Sequence, residues 1–123
     1  MADKTVYRLQ TDGGKVVATN VVVAQNMWTR FLGLMGRSEL PEGEGLCIKP
    51  CNQIHMFFMR IPLDVAFVDG AGVVLHVCHT IRPWRVSRMV GKSKAAIELP
   101  AGTLLRAGIE KGSTLTMVAA DGA

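Results

Sequence analysis

A chain of 123 residues with 49% apolar side chains holds enough material for one core, which excludes a disordered chain and leaves no room for two ordinary domains. The formal charge of +4 is modest for a dedicated nucleic-acid binder, and 3 cysteines at irregular spacing make no disulfide framework. Met1–Lys15 is polar and has no apolar leader segment, and the longest apolar stretch, Ile54–Met59 with His55 inside it, falls well short of the about 18–20 residues that cross a bilayer. A soluble, cytoplasmic protein with no membrane partner is expected.

In chain order, alternating apolar residues predict strands over Thr5–Leu9 and Val16–Ala24, joined by the turn Asp12-Gly13-Gly14. Asn26 suits a helix start, with Trp28, Phe31, Leu32 and Met35 at helical spacing behind it. Ser38–Gly45 reads as a surface loop. Leu46–Lys49, Ile54–Arg60, Val65–Val68 and Val73–Val77 read as strands, the last two joined by a hairpin at Asp69-Gly70-Ala71-Gly72. Pro62 belongs at a bend or a sheet edge, where no ladder donor is needed. A loop over Thr80–Ser93 precedes a strand at Ala95–Leu99. A helical turn follows at Leu104–Ala107 with Gly108 as its C-cap, and Thr114–Ala119 is the last strand. About eight short strands with one or two short helices make a β-dominated α+β fold, a single domain over residues 1–123 that is barrel-like or a half-closed sheet.

Several runs occur together in one order: Gly33-Leu34-Met35-Gly36-Arg37, Glu44-Gly45-Leu46, His55 to Asp69, Arg82-Pro83-Trp84-Arg85, Glu98-Leu99-Pro100-Ala101-Gly102 and Gly108-Ile109-Glu110-Lys111-Gly112. Together they resemble the DUF192 family from about Val23 to Met117, in the subgroup where a Cys and a His precede the Met-Arg-x-Pro-x-Asp run. Met56 stands where that subgroup carries a hydroxyl after the His. The resemblance implies a compact β-rich domain and supplies no activity.

Cys51 and His55 are the candidate catalytic pair, because a neighbouring imidazolium lowers a thiol's pKa and makes it a better nucleophile. The plainer account is a buried cysteine and a histidine bonded to a carbonyl. Cys47, Cys51, His55, Met56 and Met59 also form a sulfur-rich set with Cu(I) or zinc character, with Cys51 and His55 its weak metal candidates. The C-x3-C-x3-H spacing has no second pair, no cofactor is called for, and methionines beside phenylalanines more often fill cores. If Ile54–Arg60 is a strand, alternation places Met56 and Met59 on opposite faces.

Arg60 and Asp64 bracket an apolar bend, either as a structural pair or as an arginine presented to an anionic ligand; Asp64 could equally bond backbone amides. Arg82, Arg85, Arg88, Lys92 and Lys94 surround Trp84 in a stretch with no acidic residue. That combination suits an anionic ligand or, more weakly, a nucleic acid, although no recognised RNA or DNA fingerprint is present. Pro83 and Trp84 could also simply anchor the loop on the core. The sequence thus favours a binding module for a small anionic ligand or a partner protein, with Arg60, Asp64, Trp84 and Arg85 as ligand-binding candidates. An enzyme or metal protein using Cys51 and His55, and a weak nucleic-acid binder, are the alternatives.

Overall fold

The computed structural model describes residues 5–25, 39–57 and 59–119. Among the described residues the strands are β1 (Tyr7–Thr11), β2 (Val16–Ala24), β3 (Glu44–Ile48), β4 (Leu63–Val68), β5 (Val74–Ile81), β6 (Ala95–Pro100) and β7 (Leu115–Ala119), with one short helix at Thr103–Arg106. They form one sheet in the order β5-β4-β6-β3-β2-β1-β7. β2 and β3 pair in parallel, from Asn20 opposite Glu44 to Ala24 opposite Ile48. The other neighbours are antiparallel. No helix among the described residues is long and apolar enough to cross a membrane.

The sheet curls until its two edge strands touch at one end. Val73 bridges Thr114, the Val74 amide donates to Ser113 O at 2.8 Å, and the Leu115 amide donates to Gly72 O at 2.9 Å. The result is a half-barrel. Gly72 makes the contact possible: at φ 85°, a Cβ there would lie 2.3 Å from the Leu115 carbonyl oxygen. The inner core draws on every strand, with Leu9, Val21, Cys47, Ala66, Val74, Ile97 and Leu115 among its members and Leu104 and Ile109 beside them. The outer face of β3, β4 and β6 is covered by a second cluster, in which Ile54, Met56, Met59, Ile61 and Val90 pack on Leu46, Ile48, Val65 and Phe67.

Most expected elements are present. β2 spans the predicted residues, the Asp69–Gly72 hairpin joins β4 and β5, and Gly108 follows the short helix at φ 71°. The helix expected after Asn26 lies outside the described residues. The strand expected over Ile54–Arg60 is a correction. That run is an irregular cover over the outer face, with one isolated bridge, His55 to Val86. Ile54, Met56, Met59 and Ile61 are all buried while Phe57 and Arg60 are exposed, so strict alternation fails and both methionines fill the same core. A short apolar run has no periodicity of its own to declare, and burial on one side decided its conformation.

Asp64, in β4, is 0% exposed. Its Oδ1 accepts the Thr80 amide at 2.8 Å and its Oδ2 accepts the Leu104 amide at 2.9 Å. A buried carboxylate needs such donors to offset the loss of water. Thr80 needs the contact too, since a β-branched residue at φ 54° is strained. Leu104 lies in the first turn of the short helix, whose N-cap residue, Gly102, supplies no side-chain cap.

Asp64→Asn, nearly isosteric, turns an NH2 toward one of these amides and should cost about 2–4 kcal/mol. The measurement is the urea midpoint at unchanged m-value, and a loss below about 0.5 kcal/mol would count against the bridge. Gly72→Ala should lower the same midpoint by about 2 kcal/mol or more, because the strained φ and the clash with Leu115 add.

Candidate functional site

The segment 52–56 and the basic loop after β5 are laced together. The Ser87 amide donates to Ile54 O at 2.8 Å, and the Val90 amide to Asn52 O at 2.8 Å. Ser87 Oγ accepts the Ile54 amide at 2.9 Å, and Gln53 Nε2 donates to Ser87 O at 3.1 Å. Ser93 Oγ donates to Cys51 O at 2.8 Å. Two buried serines therefore staple the segments that carry the candidate residues. The sequence offered no signal for either one, because a serine in a basic loop reads as solvated.

Two further bonds shape the tip. The Met56 amide donates to Arg85 O and the Trp84 amide to Met56 O, both at 2.7 Å. The Arg85 amide donates to Arg82 O at 3.2 Å and closes a turn with Pro83 and Trp84 at its corners. Trp84 has φ 69°. A positive φ at the third residue of the turn, directly after proline, belongs to a type II turn, where glycine or asparagine is usual. Here a tryptophan takes it, and the side chain stays 59% exposed.

Trp84 ends a row of rings. His55 stacks on Phe57 with centroids 4.9 Å apart and planes at 28°, and Phe57 meets Trp84 at 6.1 Å. Phe57 (40% exposed) and the neighbouring Val86 and Met89 widen the apolar surface. Arg60, Arg82, Arg85 and Arg88 are all exposed. The structure thus brings together His55, Trp84 and Arg85 of the expected residues and adds Phe57. Arg60 is exposed on the same covering segment, whereas Asp64 is buried and spends its oxygens on backbone amides.

None of the three cysteines is in a disulfide. Cys51 is half-buried, and its thiol donates to Gln53 O at 3.2 Å. Cys47 is 2% exposed, and burial pushes its thiol up to about 11 despite the nearby Lys49 charge. Burial, and then Asp64, push the Cys78 thiol up as well. Among the described residues, no three His, Cys, Asp or Glu side chains gather as a metal-ligand set.

The DUF192 family model, described as "Uncharacterized ACR", matches residues 8–117. A UPF0127 protein of Pyrococcus furiosus is 30% identical over 112 residues, 87% of this chain and 94% of that protein. One from Thermococcus sibiricus is 34% identical over 96 residues, 74% of this chain and 61% of its own length. Among solved structures, a candidate transcription regulator of Sinorhizobium meliloti superposes with TM-score 0.75 at 25% identity, covering 92% of each chain. A protein of unknown function from Novosphingobium aromaticivorans also gives 0.75, at 24% identity over 90% of this chain and 83% of its own. By its ordered motifs, its curled sheet and a family match across most of its length, the chain belongs to the DUF192 family.

Proposed function

We propose that this protein is a binding module for an acidic polypeptide partner, held on the ledge of His55, Phe57 and Trp84 between Arg60 and Arg85. One observation carries the assignment: Trp84 occupies a strained turn position with its ring largely exposed. Strain of this kind persists where the side chain is needed, because glycine would relieve it at once. An open ledge suits a macromolecular surface, since small-molecule sites are concave. Aromatic anchors and arginines are also the residue types that dominate binding energy at interfaces. Asp64 has no surface to offer a partner and acts as a positioning residue through Thr80, where the chain leaves β5 for the loop. Three cysteines without a disulfide fit a reducing compartment such as the cytoplasm.

The test is fluorescence anisotropy with a labelled acidic peptide, beside a labelled oligo-dT. Trp84→Gly should weaken the peptide at least about fivefold while leaving the urea midpoint unchanged or higher, because the turn is relaxed. Arg85→Ala should weaken it about fivefold with little change in stability. A midpoint lowered by about 1 kcal/mol or more in Trp84→Gly would make Trp84 a packing anchor instead. Tighter binding to oligo-dT with a steep salt slope would favour nucleic acid, in keeping with the description of the Sinorhizobium relative.

The rival chemistry is a Cys51 nucleophile beside His55. With iodoacetamide at pH 8, Cys51 should label before Cys47 and Cys78, since a thiol at pKa about 11 is only ~0.1% ionised there. For a binding module, the Cys51 rate should match that of an unstructured cysteine peptide. A rate more than about tenfold above the peptide would establish an activated thiolate.

A further inference from the structure

On the opposite side of the sheet from the ledge, the half-barrel has an open end. A cavity of about 320 Å³ lies there, walled by Cys47 on β3, Val68 on β4, Ala95 and Ile97 on β6, and Leu115 and Met117 on β7. The Asp69–Gly72 hairpin closes one flank, and Lys49 and Lys94 stand at the rim. A second recess of about 450 Å³, beside Gln25 and Pro50, shares these two lysines. They are brought together by pairing: Ile48 lies opposite Ala96, so Lys49 just after β3 and Lys94 just before β6 meet at the same end of adjacent strands.

The inner wall is continuous with the core. Cys47, Val68, Ala95, Ile97 and Leu115 are buried core members, and Met117 packs against them half-buried. Beside the hairpin, β7 meets the β5 end among the described residues through the Val73–Thr114 bridge and the neighbouring bonds at residues 72–74, and the cavity lies next to this contact. Among the described residues of the lining, Asp69 is the acidic one, and its Oδ1 accepts the Ala71 amide at 2.9 Å and the Val73 amide at 3.0 Å, which holds that carboxylate to the hairpin, across the cavity from β3. The Lys49 charge pulls against the rise of the Cys47 thiol, as expected of an ammonium close to the cavity wall. The thiol itself stays protonated and adds no negative charge to the lining.

We infer that this cavity binds an aliphatic monocarboxylate, with the carboxylate between Lys49 and Lys94 and the alkyl tail on Ile97, Leu115 and Met117. Its size lies at the small end of the roughly 300–1,000 Å³ typical of ligand sites, and mouths of β-barrels are common places for them. An apolar wall alone would take any small hydrophobe, and two exposed lysines alone would take any anion weakly. Their juxtaposition selects a molecule that is both. The site is independent of the ledge, which lies on the other face and uses none of these residues.

The test is methyl NMR of the full chain titrated with sodium octanoate, octylammonium chloride and inorganic phosphate. Octanoate should shift the methyls of Ile97, Leu115 and Met117 while leaving the Trp84 indole in place. Octylammonium should bind at least about tenfold more weakly, and phosphate should leave those methyls unmoved. Lys49→Gln with Lys94→Gln, both at exposed positions, should weaken octanoate about tenfold at an unchanged urea midpoint. The inference is overturned if octanoate leaves these methyls unmoved or shifts the Trp84 indole instead. It is equally overturned if octylammonium or phosphate matches octanoate, or if the double variant binds as well as the native chain.

Discussion

The carboxylate of Asp64 is the constraint on which the rest of this structure hangs. It sits in the second strand of the sheet with no exposed surface, and it is stable there because two main-chain amides donate to it. One donor belongs to Thr80, near the end of the edge strand β5. The other belongs to Leu104, in the first turn of the only described helix. A single side chain therefore fixes β4 against the exit of β5 and the start of the helix. Removing its side chain would leave a buried amide at Leu104 and a partly buried one at Thr80 without their acceptor, a larger cost than losing two exposed hydrogen bonds.

That anchor has a consequence on the outer face. Past Thr80 the chain enters the basic loop, and the direction it takes is set by the strained Thr80 backbone that Asp64 stabilises. The loop then lies along residues 52–56 and is stapled there by Ser87 and Ser93. The same covering segment seals the outer core with Ile54, Met56 and Met59 and presents Phe57 outward, with the half-buried His55 stacked on it. Packing and presentation are thus two sides of one run: what keeps the methionines in holds the Phe57 ring out. The inner face obeys a different constraint, the contact between Gly72 and Leu115 that curls the sheet without closing it.

Much of the fold was legible in the sequence because local chemistry and global structure agree. Val16–Ala24 is rich in β-branched residues and forms a strand over those residues, and Asp69 to Gly72 carries the turn chemistry of a hairpin. Ile54–Arg60 was misleading, because five apolar residues around one histidine carry no clear period, and the loop partners of their backbone lie some thirty positions away. Asp64 could be suspected but not assigned. Its donors lie 16 and 40 residues downstream, and nothing in either residue type marks an amide that lacks a local partner. The clustering of segments 51–60 and 82–94 was anticipated from their unusual composition. The lysine pair at the barrel mouth was not, because Lys49 and Lys94 become neighbours only through the β3–β6 register.

The distribution of backbone strain separates the outer loop from the rest of the molecule. Among the described residues, glycine fills the positive-φ positions at 14, 43, 72, 102, 108 and 112, as turns and caps require. The non-glycine exceptions are Thr80, Trp84 and Lys92, and all three lie in or next to one loop. The chain uses glycine freely where only geometry is at stake, so its absence at the turn tip is informative. Thr80 is held by Asp64, and Trp84 by the Met56 carbonyl. Each bond offsets a strain that a different residue would not incur. At Trp84 the ring stays largely exposed beside Phe57, which is in keeping with the proposed role of this residue on the binding ledge.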